Sequence, residues 1–225
     1  SLEFYAKGDL QHAFEAVRDV PADVRDERLL AYRASLLLAV GSVSDANAEI
    51  ERALQLDPHN SDALALQTII AVVQDDNAKA LDVARSAVAA APQSASALIA
   101  LSYAQQAAFD LEGARDSVDR AVQFEPENAL AWARLAELRS SFGDLDDALT
   151  AARRAAVLAP ELSRTQTVLG FAYLTEVKTA QARDAFEKAI AFDQADPLPR
   201  LGHGLVEIRE GKLDEGSREL EVAAS

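Results

Sequence analysis

The chain has no cysteine, no methionine and one tryptophan, and no apolar run approaches the roughly 18 residues that a membrane span requires. Without cysteine there is no disulfide framework and no thiolate metal or redox centre, and the redox compartment stays open. Histidine is nearly as scarce: His12, His59 and His203 lie too far apart in sequence to form a local cluster, so no metal and no cofactor are expected. Positive charge is also short, with 22 Lys+Arg against 37 Asp+Glu in 225 residues and a formal charge of −15. Such a balance repels a phosphate backbone, which excludes nucleic acid as an expected partner. With 49% hydrophobic residues the composition is that of a soluble, acidic, globular chain without direct membrane insertion.

Catalytic patterns are missing in the same way. No serine stands in a Gly-x-Ser-x-Gly context, no phosphate-cradling glycine loop occurs, and no convincing strand precedes one. The run Asp144, Asp146, Asp147 lacks the spacing and the terminal glutamate of a calcium loop. It reads as acid at a helix N-terminus, where the dipole favours it. Gly202-His203-Gly204 is the nearest local oddity, and its place in a small-residue column assigns it to packing. The expected protein is therefore not an enzyme.

A period fills this inventory. Pro58, Pro92, Pro126 and Pro160 stand 34 residues apart, in phase with Ala46, Ala80, Ala114, Ala148, Ala182 and Gly216, and with Ala53, Ala87, Ala121, Ala155, Ala189 and Ala223. A third column is small or weakly polar: Ala34, Thr68, Ser102, Ala136, Gly170 and Gly204. Columns of small residues mark close helix crossings, where a larger side chain would overpack by about 1–3 kcal/mol. The unit starting at Ala129 shows the logic. Trp132, Leu135, Leu138 and Phe142 form one helical stripe, Gly143-Asp144 supplies a left-handed stop and a cap, and Leu145, Ala148, Ala152, Ala155 and Leu158 form a second stripe before Pro160. Two residues after each periodic proline, and in the same column at Asp196, stand Asn60, Ser94, Asn128, Leu162 and Asp196, four of them good N-caps.

This pattern resembles the tetratricopeptide repeat, a 34-residue helix-turn-helix. Its best units are Trp132, Leu135, Ala136, Ala148, Ala155, Pro160 and Leu169, Gly170, Tyr173, Ala182, Phe186, Ala189. Departures are Arg33, Gln67 and His203 for leucine, Gln166 and Arg200 for tryptophan, and Gln194 for proline. The resemblance implies an all-α, right-handed α-solenoid of antiparallel helix pairs. One domain over 1–225 is expected: a partial repeat at 1–26, full repeats at 27–60, 61–94, 95–128, 129–162 and 163–196, and a shortened one at 197–225, all part of a longer array. Pentatricopeptide repeats are similar in length and bind RNA, but the acidic charge argues against that relative.

The resemblance also places partners in a concave groove lined by the second, fifth, ninth and twelfth residues of each first helix. Among these and their neighbours the candidate binding residues are Ile69, Ile99, Tyr103, Gln106, Arg134, Glu137, Arg164, Thr167 and Phe171. Tyr103 and Phe171 are the best anchors, with packing between helices as their alternative role. Trp132 and Tyr173 occupy signature core places. The lysine, asparagine and arginine set by which related chaperone adaptors grip a terminal carboxylate is missing at Ala31, Ser35, Leu66, Ser96 and Ala100. The expected function is a scaffold that binds a protein or peptide segment. The alternative is a spacer or self-assembly unit of a larger protein, a homo-oligomer through its terminal repeats. A second, weaker resemblance is to the repeat regions of bacterial envelope proteins with FecR-like domains, which implies a periplasmic location.

Overall fold

A computed structural model describes residues 10–18, 21 and 24–224 of the chain. Among them are thirteen α-helices: α1 (Leu10–Arg18), α2 (Glu27–Ala39), α3 (Val43–Leu56), α4 (Ser61–Val73), α5 (Asn77–Ala90), α6 (Ala95–Ala107), α7 (Leu111–Phe124), α8 (Ala129–Phe142), α9 (Leu145–Leu158), α10 (Ser163–Thr175), α11 (Thr179–Phe192), α12 (Pro197–Arg209) and α13 (Leu213–Ala223). The first helices begin at Glu27, Ser61, Ala95, Ala129, Ser163 and Pro197, where the period places them. The fold is an all-α helical-repeat solenoid. Two compact units divide it, Ser1–Pro126 and Glu127–Ser225. Of the partial repeat expected at 1–26, residues 1–9 lie outside the described residues.

The periodic residues act as their chemistry requires. Asn60, Ser94, Asn128 and Asp196 each accept a hydrogen bond from a backbone N–H of the helix they cap. Each such bond satisfies one of the orphan donors of a helix start. Leu162 cannot cap α10. There Thr165 donates through Oγ1 to the carbonyls of Ala159 and Leu162, and Gln166 Nε2 donates to Pro160 O, tying the helix start to the preceding chain. Asp144 departs from expectation: its side chain caps nothing and lies 3.6 Å from Arg139 instead.

Both alanine columns are buried from Ala46 to Ala189, so each marks a crossing with no room for a longer side chain. The turn inside each helix pair contains a left-handed residue with φ between 60° and 85°, at Gly41, Asp75, Phe109, Gly143, Val177 and Gly211. Those six positions are again 34 apart, although only three are glycine. An L-residue pays about 1–2 kcal/mol for this backbone, most awkwardly the β-branched Val177.

Packing is local. In the first unit Leu30, Ile50, Ala53 and Ala63 form one cluster, and Ala71, Ala80, Ala84, Leu101 and Ala104 another. In the second unit Phe186 is fully buried beside Leu174, Ala182 and Val206, with Phe171 edge-on to it at 5.0 Å between ring centroids. Within each unit a repeat thus contributes one face of a core that its neighbour completes.

Candidate functional site

Residues two, five, nine and twelve of a helix lie on one face, because they step by three or four. In the first unit α4 and α6 pack side by side. On them Ile69, Ile99 and Tyr103 are half-buried and Gln106 is exposed. These four supply an apolar strip with one polar end and no charge.

In the second unit α8 and α10 are neighbours and carry a charged constellation. Arg134 donates from Nη1 to Glu137 Oε2 at 3.1 Å, while Arg164 pairs with the other oxygen of the same carboxylate. Arg134 is only 4% exposed, whereas about a third of the Arg164 side chain is open to solvent. One carboxylate therefore holds two guanidiniums, and the trio keeps one positive charge in a chain whose total is −15. The structure does bring these three candidates together. Thr167 and Phe171 are placed differently. Thr167 is 1% exposed and its hydroxyl donates to Ser163 O, so it presents nothing to a partner. Phe171 keeps part of its surface but spends an edge on Phe186.

Tyr173 is not wholly core. It borders an open cleft of about 420 Å³ between α10 and α11, lined also by Gln166, Leu169, Asp184 and Lys188, and Arg153 lies over its ring at 5.6 Å. The cleft could not be read from the sequence, because its walls come from two helices whose spacing the pattern does not encode.

The last repeat holds a second charged constellation that the sequence reading missed. Glu207, buried on α12, pairs with Arg183 of α11 and with Lys212, whose Nζ is 3.1 Å from Oε2; Arg183 and Lys212 both also pair with Glu210. Burial pushes the Glu207 carboxyl up, but Lys212 and Arg183 together outweigh it and hold the group below its usual range. Conversely Glu207 and Glu210 raise the Lys212 ammonium. On the same helix Leu198, Leu201 and Leu205 are each about 40% exposed. At the fifth place of earlier first helices, Ala31, Ala65, Ala133 and Thr167 are at most 5% exposed and Ile99 is half-buried, so Leu201 is the most open of the column.

No helix among the described residues is long and apolar enough to cross a membrane. No family model matches the sequence, and no curated protein matches it. Solved structures do. The chain is similar to the Cut9-Hcn1 hetero-tetramer of the APC/C, with 19% identity and a TM-score of 0.79 over 96% of this chain and 41% of that one. It is also similar to TTC0263, a thermophilic TPR protein in Thermus thermophilus, with 20% identity and a TM-score of 0.69 over 81% of this chain and all of that one. A tetratricopeptide repeat protein from Parabacteroides merdae shares 18% identity, with a TM-score of 0.64 over 99% of this chain and 89% of that one. At these identities the likeness is one of fold: a helical-repeat solenoid with tetratricopeptide-repeat neighbours.

Proposed function

We propose that this protein is a non-enzymatic scaffold that binds a protein or peptide segment along the exposed faces of its first helices. In this reading the unbroken 34-residue period makes both units parts of one array. The observation that supports it is the guanidinium of Arg164, about a third open to solvent and held on α10 by the Glu137 carboxylate of α8, with the half-buried Phe171 two turns further along α10. A segment with an acidic side chain near an apolar one suits that arrangement, while the apolar strip of Ile69, Ile99 and Tyr103, ending at Gln106, suits an uncharged stretch. Tetratricopeptide-repeat neighbours, one of them seen in a hetero-tetramer, support a role in protein interaction.

The test is affinity capture from a lysate of the source organism, with the parent and a Tyr103→Ala, Arg164→Ala variant side by side. Phe171 is left intact because it packs on Phe186. A protein held by the parent and lost by a variant of unchanged helicity is the expected result. Equal capture by both would sink the groove assignment.

Assembly through the last repeat is the second reading, favoured by the exposure of Leu198, Leu201 and Leu205. Sedimentation velocity across a wide concentration range should then show a mass that rises with concentration, and Leu201→Glu, Leu205→Glu should abolish the rise. A mass that stays at one protomer throughout removes this reading. The likeness to FecR-domain envelope proteins, and the periplasmic location it implies, gain no support from the comparisons and add to neither.

A further inference from the structure

Gln166, Leu169 and Tyr173 take the fourth, seventh and eleventh places of their repeat, and at about 100° per residue they lie on the side of α10 away from places two, five, nine and twelve. The cleft between α10 and α11 is on that side, so it is separate from the candidate groove. Its lining is largely uncharged: Leu169 and Tyr173 are half-buried, Ala185 is buried and Ala180 is exposed. The fourth place holds Leu30, Leu64, Leu98 and Trp132 in the earlier repeats. Gln166 replaces that apolar side chain with an amide that donates to Pro160 O. The two charged residues of the lining, Asp184 and Lys188, pair with each other at 2.7 Å and cancel. What remains without a protein partner is positive. Arg153 of α9 is exposed, stands over the Tyr173 ring, and forms no ion pair among the described residues. A guanidinium stacked on a ring keeps its N–H edge free to meet a carboxylate.

The repeats supply an internal control. Arg153 takes the twenty-fifth place of its repeat and Tyr173 the eleventh place of the next. At the other junctions the same two places hold Glu51 and Ala71, Arg85 and Gln105, Asp119 and Arg139, or Glu187 and Glu207. None of these sets a cation beside an aromatic ring. The fold is therefore built at four junctions without the arrangement found at the fifth, and repeat packing does not require it.

We propose that the cleft between α10 and α11 is a second docking site, for a protein segment that carries an aromatic or aliphatic side chain beside an aspartate or glutamate. The apolar side chain lies against Leu169, Tyr173 and Ala185, and the carboxylate pairs with Arg153. A volume of about 420 Å³ is at the small end of the range for ligand cavities and suits one large side chain. Because the cleft is open, it grips a side chain on a segment that runs on across the surface and does not enclose a free molecule. The chain's total of −15 does not cancel the local cation, since salt screens charges more than about 8 Å apart at physiological ionic strength. The scaffold reading supplies the class of partner, but the site is on another face and stands or falls separately from the groove.

Two-dimensional NMR of the whole chain, titrated with the blocked dipeptide N-acetyl-Phe-Glu-amide, tests the site. Amide signals of Leu169, Tyr173, Ala180 and Ala185 should shift. The neutral N-acetyl-Phe-Gln-amide should bind there about tenfold more weakly, the loss of one charge-assisted contact. Arg153→Gln should impose the same tenfold loss on the acidic peptide, and Ala180→Phe should close the cleft to both peptides. Both substituted residues are exposed, so the fold is kept, and any shift at Arg164 and Phe171 on the opposite face should be unchanged. N-acetyl-phenylalanine, whose carboxylate ends the molecule, should bind less tightly than the acidic dipeptide. Four results overturn the proposal: no shift in the cleft at the limit of peptide solubility, equal affinity for the acidic and neutral peptides, an Arg153→Gln variant that binds as the parent does, or tighter binding of N-acetyl-phenylalanine, which would place a chain terminus there. Shifts confined to Arg164 and Phe171 would overturn it too, and would leave the groove reading standing.

Discussion

Phe186→Ala is expected to cost about 3–5 kcal/mol, the range for removing a fully buried aromatic ring. Protection from hydrogen exchange should be lost first in α10 to α13, because a repeat array loses structure where its neighbour interfaces fail. The reason is visible in two glycines. A Cβ added at Gly170 would fall 2.6 Å from the ring, and one at Gly202 would fall 2.3 Å from it. The ring therefore fills space that α10 and α12 leave by carrying no side chain there. Gly202→Ala alone should cost about 1–3 kcal/mol through overpacking. Combined with Phe186→Leu it should cost less than the two separate losses added together, since the smaller side chain makes room for the methyl. Thermal unfolding of the three variants measures this coupling directly. Strict additivity would mean that the glycine and the ring do not share one space.

That pair shows what a sequence can and cannot reveal. Gly170 and Phe186 were legible as members of repeat columns, and so were the starts of all six first helices and the four polar caps. Periodicity reports positions that recur, and backbone geometry follows it. The left-handed turn column was visible to that reading at one of its six positions, Gly143. Asp75, Phe109 and Val177 occupy the same backbone state without glycine's signature. Asp144 failed as a cap because Arg139, in the preceding turn, competes for its carboxylate. Place-counting put Glu137 and Arg164 on the candidate face with Arg134 as a neighbour, yet it could not show that one carboxylate serves both cations. Thr167 was counted into the same face by position, although its surroundings bury it. Tyr173 was read as core because a single column was inspected. Its cation was legible only in two columns read together, with Arg153 in the twenty-fifth place of one repeat and Tyr173 in the eleventh of the next.

Glu137→Ala is the variant in which stability and binding separate most clearly. It leaves the Arg134 guanidinium, 4% exposed, without the carboxylate that neutralises it. Breaking a buried ion pair from one side costs up to about 3–5 kcal/mol, and the partial exposure of Glu137 places the expected loss at or below the lower end. Much of that loss is the poorer compensation of a buried guanidinium, not the worth of the pair. Arg134→Met with Glu137→Ala should therefore be more stable than Glu137→Ala alone, because methionine restores apolar volume and removes the cation. Arg164→Ala removes the more exposed member and should cost less than about 1 kcal/mol. Chemical denaturation of the four proteins, with unfolding slopes compared for constancy, gives these differences. A double variant no more stable than Glu137→Ala would show that the cost arises elsewhere in α8. The same series reads on function, since Arg164→Ala leaves the fold nearly untouched while deleting the more accessible half of the positive point. If that variant still holds an acidic segment as the parent does, the binding energy lies in the apolar strip of the first unit and not in the charged trio of the second.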